Sequence, residues 1–240
     1  MTYLRFHLLF NLPATLLLAV ATWGRWSGAE GLAAAGVLLA VLLFTSPWDN
    51  AAVRRGIWDF PADRILGRIS WLPLEDYLFF LWQSVNVIAS LKWALMAFPA
   101  LHSGKTTPLG PANYAALGGV FVVWLAAGFW LKRAQLSPRW NYTRHLFYWF
   151  LPLIVFQWAL APGLFLALLP LLGGAALAWG TYYAVADLVA VREGVWYFDS
   201  AQITGWKLGG ILPWEEIAFF YLTSLVVAQS YVLLLPAALR

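Results

Sequence analysis

The 240-residue sequence contains no cysteine and few charged side chains. Without cysteine, disulfide frameworks, thiolate nucleophiles and cysteine-ligated metal or iron–sulfur centres are excluded. Charged residues make up 11% of the chain, less than half of the roughly 25% found in ordinary soluble domains. Apolar residues make up 62%, and the mean hydropathy is +0.71. Because a soluble globule of this size could not bury so much apolar surface, the composition excludes soluble enzymes and nucleic-acid-binding modules and indicates a membrane protein.

Several signatures of cofactor chemistry are also missing. The sequence has no G-x-G-x-x-G fingerprint and no Walker motif, so a nucleotide site is not indicated. The last apolar segment holds no lysine, which argues against a retinal Schiff-base protein. The three histidines, His7, His102 and His145, are not spaced as metal ligands and are interpreted as incidental or interfacial. The sequence therefore predicts neither a cofactor nor a metal.

Aromatic residues are abundant, with 16 Trp, 10 Tyr and 16 Phe making up 18% of the chain. Aromatic belts at the two membrane surfaces account for part of this number. The remainder suits a site that holds a long unsaturated hydrocarbon or stabilises a carbocation.

Seven apolar segments reach the length of about 20 residues that a membrane-spanning helix needs. They cover residues 3–22, 31–50, 73–98, 113–131, 142–161, 164–189 and 213–235. With seven spans, 11 of the 15 Lys and Arg residues fall on the side of the N-terminus and 4 on the other side. Basic residues favour the cytoplasmic side. The protein is therefore predicted to be integral to the cell membrane, with a cytoplasmic N-terminus and an external C-terminus.

The sequence repeats itself at a spacing of 138 to 140 residues. Residues 52–58 match residues 190–196, and residues 72–76 match residues 212–216. Further matches in the same order are Tyr3 with Tyr142, Arg5 with Arg144, Pro13 with Pro152, Asp49 with Asp187, Phe79 and Phe80 with Phe219 and Phe220, and Ser84 with Ser224. So many matches in one order indicate a duplicated unit of three spans.

The fourth span joins the two units and decides their relative orientation. Because one span separates them, the first and fifth spans cross in the same direction, and the units are predicted to be parallel, related by a pseudo-twofold axis along the membrane normal. The predicted fold is an all-α polytopic membrane protein with about seven transmembrane helices. Repeat 1 covers residues 1–100, a linker with the fourth transmembrane helix covers 101–138, and repeat 2 covers 139–240.

Six of the eleven acidic residues fall at the predicted cytoplasmic ends of spans. They are Asp49 and Asp187 at the ends of spans two and six, and Glu75, Asp76, Glu215 and Glu216 at the starts of spans three and seven. Parallel repeats would bring them into one layer, and ionisable groups at membrane depth are usually functional. Crowded carboxyl groups at the edge of a low-dielectric region cannot all be ionised. A protonated acid beside a carboxylate can perform general acid–base catalysis.

A simpler interpretation of each Pro-x-Glu-[Asp/Glu] element is a helix start. Proline favours the first helical position, and acids in the first turn interact well with the helix dipole. The duplication of the element and its two adjacent acids favour a functional role instead. Trp58 and Trp196 are interpreted either as substrate or cation contacts or as interfacial anchors.

The tandem Leu-Pro-x-Glu-[Asp/Glu] elements, each preceded by a Gly-[Ile/Val]-Trp segment, resemble the small integral-membrane lycopene cyclases. The resemblance covers essentially the whole chain. In the heterodimeric type of this family the two three-helix units are separate subunits, and this chain resembles the form in which they are fused in tandem. It implies essential roles for four acids, Glu75, Asp76, Glu215 and Glu216. Asp49 and Asp187 are added as supporting acids from the repeat alone.

The resemblance also implies a reaction, the formation of ionone-type rings by a carotenoid cyclase, an intramolecular lyase of isoprenoid synthesis that uses no cofactor. An acid protonates the terminal double bond of a lycopene-like polyene, the neighbouring double bond attacks the tertiary cation, and a base removes a proton from the ring. No net redox change occurs. The expected partners are the lipid-soluble carotenoid, the membrane and other carotenoid enzymes, with no nucleic acid.

The residues alone leave other functions open. A cyclase of a longer, prenylated carotenoid, a proton-coupled small-molecule carrier and a structural membrane subunit are the alternatives. Carriers favour broken helices with binding groups at the membrane midplane, whereas these acids cluster towards one face of the membrane. A purely structural subunit would leave the duplicated acids without a role. The sequence does not distinguish a β from an ε ring, cyclisation at one end from cyclisation at both, the acid from the base, or one oligomeric state from another.

Overall fold

The computed structural model of the chain describes residues 1–101, 110–134 and 136–239. Part of the predicted linker, with His102 and Lys105, lies outside the described residues, as does Arg240. The described part forms nine α-helices: α1 (Tyr3–Phe6), α2 (Leu12–Ala21), α3 (Gly28–Arg54), α4 (Leu74–Ala97), α5 (Pro111–Arg133), α6 (Asn141–Leu160), α7 (Pro162–Ala167), α8 (Leu169–Arg192) and α9 (Trp214–Leu234). Its six strands have two residues each: β1 (Trp58–Asp59), β2 (Arg68–Ile69), β3 (Leu72–Pro73), β4 (Tyr197–Phe198), β5 (Lys207–Leu208) and β6 (Leu212–Pro213). The predicted all-α class is confirmed.

Six helical segments of the described residues are long and apolar enough to cross a membrane. They are Tyr3–Ala21, Gly28–Arg54, Leu74–Ala97, Pro111–Leu131, Leu169–Arg192 and Trp214–Leu234. Six of the seven predicted spans therefore correspond to such a helix. The remaining one, residues 142–161, forms the 20-residue helix α6. This helix is less apolar because its first turns contain Asn141, Arg144 and His145.

Two of the predicted spans are less regular than their hydropathy suggests. A π-helical turn, His7–Asn11, joins α1 to α2 just before Pro13. A proline in a helix removes a hydrogen bond and crowds the preceding turn, and a widened turn relieves that crowding. The predicted sixth span, residues 164–189, begins in α7 and continues in α8 after Leu168, with Pro170 in the first turn of α8.

Helices α3 and α8 end in the same way. Gly56 and Gly194 follow these helices with φ angles of +67° and +69°, a left-handed conformation that costs glycine little. The amide of the residue after each glycine donates a hydrogen bond to a carbonyl in the last turn of the helix. Ile57 N donates to the Ala52 carbonyl at 3.1 Å, and Val195 N donates to the Ala190 carbonyl at 2.9 Å. Both chain segments therefore leave their helix in the same direction.

Short strands connect the two halves of the chain. β1 pairs with β4 in antiparallel register, with Trp58 opposite Phe198 and Asp59 opposite Tyr197. Within each half, a two-residue ladder precedes the next long helix: β2 pairs with β3, and β5 pairs with β6. The turn of the second ladder contains Gly209 and Gly210, both with positive φ. This turn is one residue longer than the first, and it accounts for one of the two residues inserted in the second copy.

The proline of each Pro-x-Glu-[Asp/Glu] element lies one position earlier than predicted. Pro73 and Pro213 are the last residues of β3 and β6, with extended ψ angles of 149° and 142°. They precede the helix instead of occupying its first helical position, because their carbonyls remain in the strand conformation. The following acids do lie in the first turns of α4 and α9, as predicted.

A buried ion pair joins α3 and α4 at the ends of these helices that lie away from Asp49. Lys92 Nζ lies 2.6 Å from Glu30 Oε1, and the two side chains are 12% and 6% exposed. The other oxygen of Glu30 accepts hydrogen bonds from Ser27 N and Ser27 Oγ, both at 2.8 Å. Both oxygens of this buried carboxylate therefore have partners at the start of α3.

We expect Lys92→Met to lower the free energy of unfolding by about 3–5 kcal/mol, because it leaves the buried Glu30 charge without its cation. Thermal unfolding of the purified protein in detergent measures the loss. The double variant Glu30→Gln with Lys92→Met should recover most of it, since both charges are then gone. A single variant as stable as the wild type would contradict the pairing.

Candidate active site

One cavity of about 40 Å³ is lined by carboxyl and aromatic side chains from both halves of the chain. The lining residues are Tyr3, Trp48, Asp49, Trp58, Phe60, Asp76, Phe79, Phe80, Tyr142, Asp187, Trp196, Phe198, Glu216, Phe219 and Phe220. Each half contributes two of the predicted acids, all four of them buried. Among the described residues, no Lys or Arg lines this cavity. Four carboxyl groups therefore face one small space without a cation among them.

Two of these acids are held by buried tyrosines. Tyr3 Oη donates a short hydrogen bond to Asp76 Oδ1, and Tyr142 Oη donates one to Glu216 Oε2. Asp76 Oδ2 is buried and has no hydrogen-bond partner within the described part of the chain. Each tyrosine therefore fixes one carboxyl oxygen, and the second oxygen of Asp76 is left without a protein hydrogen bond.

The other two acids are held by the predicted tryptophans. Trp58 Nε1 donates to Asp49 Oδ1 at 3.0 Å, and Trp196 Nε1 donates to Asp187 Oδ1 at 2.8 Å. Both indoles are 7% exposed and line the cavity. The indole N–H groups thus bind carboxyl groups inside the protein, which favours a substrate or cation contact over interfacial anchoring.

The aromatic partners of the acids pack across the two halves. The Tyr3 ring lies on Trp196 with a centroid distance of 4.9 Å, and the Tyr142 ring lies on Trp58 at 5.0 Å. Asp76 of the first half is thereby connected, through Tyr3 and Trp196, to Asp187 of the second. The ladder of β1 and β4 brings the two indoles into these positions.

Glu75 and Glu215 are fully buried but do not line the cavity. Glu75 Oε1 accepts from Leu66 N at 2.8 Å, and Glu215 Oε1 accepts from Thr204 N and Thr204 Oγ1, both at 2.8 Å. These bonds connect the first turns of α4 and α9 to the loops that precede them. The structure therefore separates the two acids of each element, one at the cavity and one against a loop.

The histidines have partners that their sequence positions did not indicate. His7 and His145, interpreted from the sequence as incidental or interfacial, are buried, with exposures of 0% and 4%. His7 Nε2 donates to the Glu75 carbonyl at 2.8 Å, while His7 Nδ1 accepts from Asn11 Nδ2 at 2.8 Å. His145 Nε2 donates to the Trp48 carbonyl at 2.8 Å. Both rings therefore have structural roles beside the cavity.

Aromatic rings form most of the remaining cavity wall. Trp48 and Phe219 are stacked at 5.0 Å, and Phe79 and Phe220 meet edge to face at 6.1 Å. Sequence reasoning assigned no role to these rings or to Tyr3 and Tyr142. The repeat could have found several of them, because Tyr3 matches Tyr142, and Phe79 and Phe80 match Phe219 and Phe220.

The fold and this cavity define a helical membrane protein with buried carboxyl groups in an aromatic chamber. The chain is 30% identical over 235 residues to lycopene beta-cyclase of Halobacterium salinarum, an alignment that covers 97% of this chain and 95% of that protein. It is also 30% identical over 239 residues to bifunctional lycopene cyclase/phytoene synthase of Arthroderma gypseum, and 27% identical over 234 residues to the protein of that name from Podospora anserina.

These alignments cover 94% of this chain in both cases but only 40% and 39% of the two fungal proteins. No family model and no solved structure matches the chain. The similarity to the haloarchaeal enzyme extends over nearly the full length of both proteins. The chain belongs to the lycopene cyclase family.

Proposed function

We propose that this chain closes end rings on lycopene or a similar carotenoid by acid–base catalysis among the carboxyl groups of its central cavity. The proposal rests on the arrangement of Asp49, Asp76, Asp187 and Glu216 around one aromatic cavity that no cation of the described residues lines. The haloarchaeal relative is named a lycopene beta-cyclase, which favours the β ring as the product. Because the chain spans only about 40% of the fungal relative's length, we do not extend the proposal to phytoene synthesis.

Asp76 and Glu216 are the proposed acid–base pair. Four neighbouring carboxyl groups without a cation repel one another when all are ionised, so the group retains protons that a substrate can take up. A protonated member donates to the terminal double bond, and a tertiary carbocation forms. The neighbouring double bond attacks it and closes the ring, and an ionised member then removes a ring proton. The proton gained and the proton lost balance, so the reaction needs no electron carrier.

Asp49 and Asp187 are proposed as supporting acids. Each keeps one oxygen on a tryptophan N–H, and Asp187 Oδ2 has no protein partner. An ionised member of this pair would stabilise the cation electrostatically in a site of low dielectric constant. They also provide neighbours through which the acid–base pair can regain its starting protonation.

The aromatic walls are proposed to stabilise and protect the cation. Indole and phenyl faces attract cations, tryptophan most strongly, and Trp58 and Trp196 are the indoles nearest the acids. Exclusion of water prevents capture of the cation as an alcohol. The same function explains why the carboxyl groups lie among rings rather than among polar side chains.

Glu75 and Glu215 are proposed to act as positioning residues. Each accepts a hydrogen bond from an amide of the loop that precedes its helix, and each directly precedes an acid of the proposed pair. Their contribution is to hold Asp76 and Glu216 in place. All four acids of the duplicated elements would then be important, but only the second of each pair would touch the substrate.

The proposed topology is that of two parallel three-helix repeats, at residues 1–100 and 139–240, linked by α5. The antiparallel ladder of β1 and β4, which joins equivalent segments of the two copies, supports a pseudo-twofold relation. We also propose that α6 completes seven membrane crossings, with the N-terminus cytoplasmic and the C-terminus outside. An association with other carotenoid enzymes would follow from the shared, membrane-dissolved substrate.

Expression of the chain in a bacterium that accumulates lycopene tests the proposed function. We expect cyclic carotenoids to replace lycopene, and chromatography with mass spectrometry measures them as products of unchanged mass. A vector without the gene is the control. Unchanged lycopene, with the protein present in the membrane, would contradict the proposal, and cyclisation only of a prenylated polyene would favour the longer substrate instead.

The proposal also predicts that ring formation needs no added flavin, nicotinamide or metal, because the proton balance of the reaction closes without them. Purified protein in liposomes loaded with lycopene should form rings at similar rates with and without reduced flavin and with and without a chelator. An absolute requirement for any of these additions would contradict the prediction.

A further inference from the structure

A second cavity, of about 200 Å³ and mainly apolar, adjoins the acid cavity. Its lining residues are Val37, Ala40, Val41, Phe44, Thr45, Phe80, Gln83, Ser84, Phe150, Leu153, Phe219, Thr223, Val226, Val227 and Ser230. Phe80 and Phe219 line both cavities. A dry apolar cavity of roughly 150 Å³ holds benzene, so this one has room for a segment of a hydrocarbon chain but not for a whole carotenoid.

The apolar cavity extends towards the outside of the helix bundle. Its walls come from α3, α4, α6 and α9. Ala40, on α3, is exposed on the outer surface, and Phe44 and Leu153 are half-buried. The cavity therefore leads from the acids to the lipid-facing surface between α3 and α6, a path by which a long chain can continue into the bilayer.

The equivalent region in the other half of the protein is filled. At the repeat spacing of 138 residues, Val41, Phe44 and Thr45 of α3 correspond to the larger residues Trp179, Tyr182 and Tyr183 of α8. Tyr183 is 0% exposed, and its ring stacks on Phe220 at 5.9 Å. The replacement of threonine by tyrosine at this level occupies the space that is open beside α3.

Hydrogen bonds hold the three filling side chains in place. Tyr183 Oη donates to Asn11 Oδ1 and accepts from Asn86 Nδ2, both at 2.9 Å. Trp179 Nε1 donates to Ser90 Oγ at 2.8 Å, and Tyr182 Oη donates to the Phe10 carbonyl at 2.7 Å. Tyr183 is buried, and a buried polar group with all its hydrogen bonds made is costly to move. The filled side is therefore a fixed feature and does not open by a simple rotamer change.

From these observations we propose that the apolar cavity between α3, α6 and α9 binds the conjugated hydrocarbon chain next to the reacting end of the substrate, and that Trp179, Tyr182 and Tyr183 close the equivalent route. This inference rests on the proposed cyclase function. It makes a nearly symmetric acid cavity accessible to a polyene from one side only. The two ends of a carotenoid then react in separate visits, and the chain with one ring leaves and returns reversed.

The variant Val41→Trp tests the binding route by giving the open side the residue of the filled side. The matched control is Leu43→Trp, which adds the same side chain to α3 at a position that is 69% exposed. In a lycopene-accumulating bacterium, Val41→Trp should reduce ring formation at least about tenfold, the factor that corresponds to losing one or two buried hydrocarbon groups. Leu43→Trp should form rings like the wild type at equal protein level.

A binding measurement gives a second result that does not depend on catalysis. Wild type, Val41→Trp and Leu43→Trp are each given the additional change Glu216→Gln, so that bound lycopene is not converted, and are then purified in detergent and saturated with lycopene. The visible absorbance gives bound lycopene per chain. We expect one lycopene per chain for the wild type and for Leu43→Trp, and at least about tenfold weaker binding for Val41→Trp.

Equal binding and equal ring formation by the two tryptophan variants would overturn the proposed route, as would two lycopene molecules per wild-type chain. If the wild type binds lycopene but forms no rings, the cyclase proposal fails. The binding difference between the two variants still supports or overturns the route in that case. The two failures are thus distinguishable.

Discussion

Asp76→Asn and Glu216→Gln should each abolish ring formation at both ends of the substrate. Both changes keep the side-chain volume and the hydrogen bond from Tyr3 or Tyr142 but remove the ability to exchange a proton. The loss of a general acid or base costs about 10²–10⁴-fold in rate, enough to leave lycopene as the visible pigment. Because the two acids line one cavity, one intact copy should not compensate for the other.

Two exposed acids give matched controls for these variants. Asp63 has a side chain that is 78% exposed and Glu193 one that is 53% exposed, and neither lines the cavity. Asp63→Asn and Glu193→Gln should form rings like the wild type. Chromatography of the pigments, normalised to protein in the membrane fraction, measures all four variants. A one-ring product from either Asp76→Asn or Glu216→Gln would indicate that each copy has its own site.

Glu215→Ala should lower ring formation by about 10²-fold, the loss that a displacement of about 1 Å at a reacting group can cause. The change leaves Thr204 N and Thr204 Oγ1 without their acceptor, so the loop before α9 loses its attachment beside Glu216. Glu75→Ala should have a similar effect through Leu66 N. Pigment analysis as above measures both.

The conservative variants separate a positioning role from a direct one. Gln at either position keeps a carbonyl oxygen that can accept the loop amide, so Glu75→Gln and Glu215→Gln should recover most of the activity that alanine removes. In contrast, the amide variants of the proposed acid–base pair, Asp76→Asn and Glu216→Gln, should remain without activity. If Glu215→Gln is as inactive as Glu216→Gln, Glu215 exchanges protons itself, and the separation of roles inferred from the cavity lining is wrong.

Much of the fold follows from local patterns in the sequence. Hydropathy locates the long helices, because a span needs about 20 apolar residues, and the acids lie in the first turns of α4 and α9 as predicted. The duplicated motifs indicate which side chains from distant segments belong together. Asp49 and Asp187, singled out only by the repeat, line the same cavity as Asp76 and Glu216.

Other features depend on contacts that a linear pattern does not contain. Glu75 and Asp76 are adjacent and differ by about 100° around the helix, so the sequence cannot tell which one faces the cavity. The packing of Tyr3 on Trp196 depends on the pairing of β1 with β4. The repeat shows that Tyr183 replaces Thr45, but only the structure shows that the Tyr183 ring fills the space beside α8 that is open beside α3.

Ring formation in deuterated water tests the central claim, proton transfer by the cavity carboxyl groups, most directly. Carboxyl groups that are equilibrated with deuterated water before the substrate is added carry deuterium, so the first ring that each chain forms should carry one deuterium at the carbon that is protonated. Wild-type protein in lycopene-loaded liposomes prepared in deuterated buffer should therefore give products one mass unit heavier per ring, while recovered lycopene stays unlabelled. With protein in excess over lycopene, so that each chain forms no more than one ring, rings without deuterium would contradict acid–base cyclisation in this cavity.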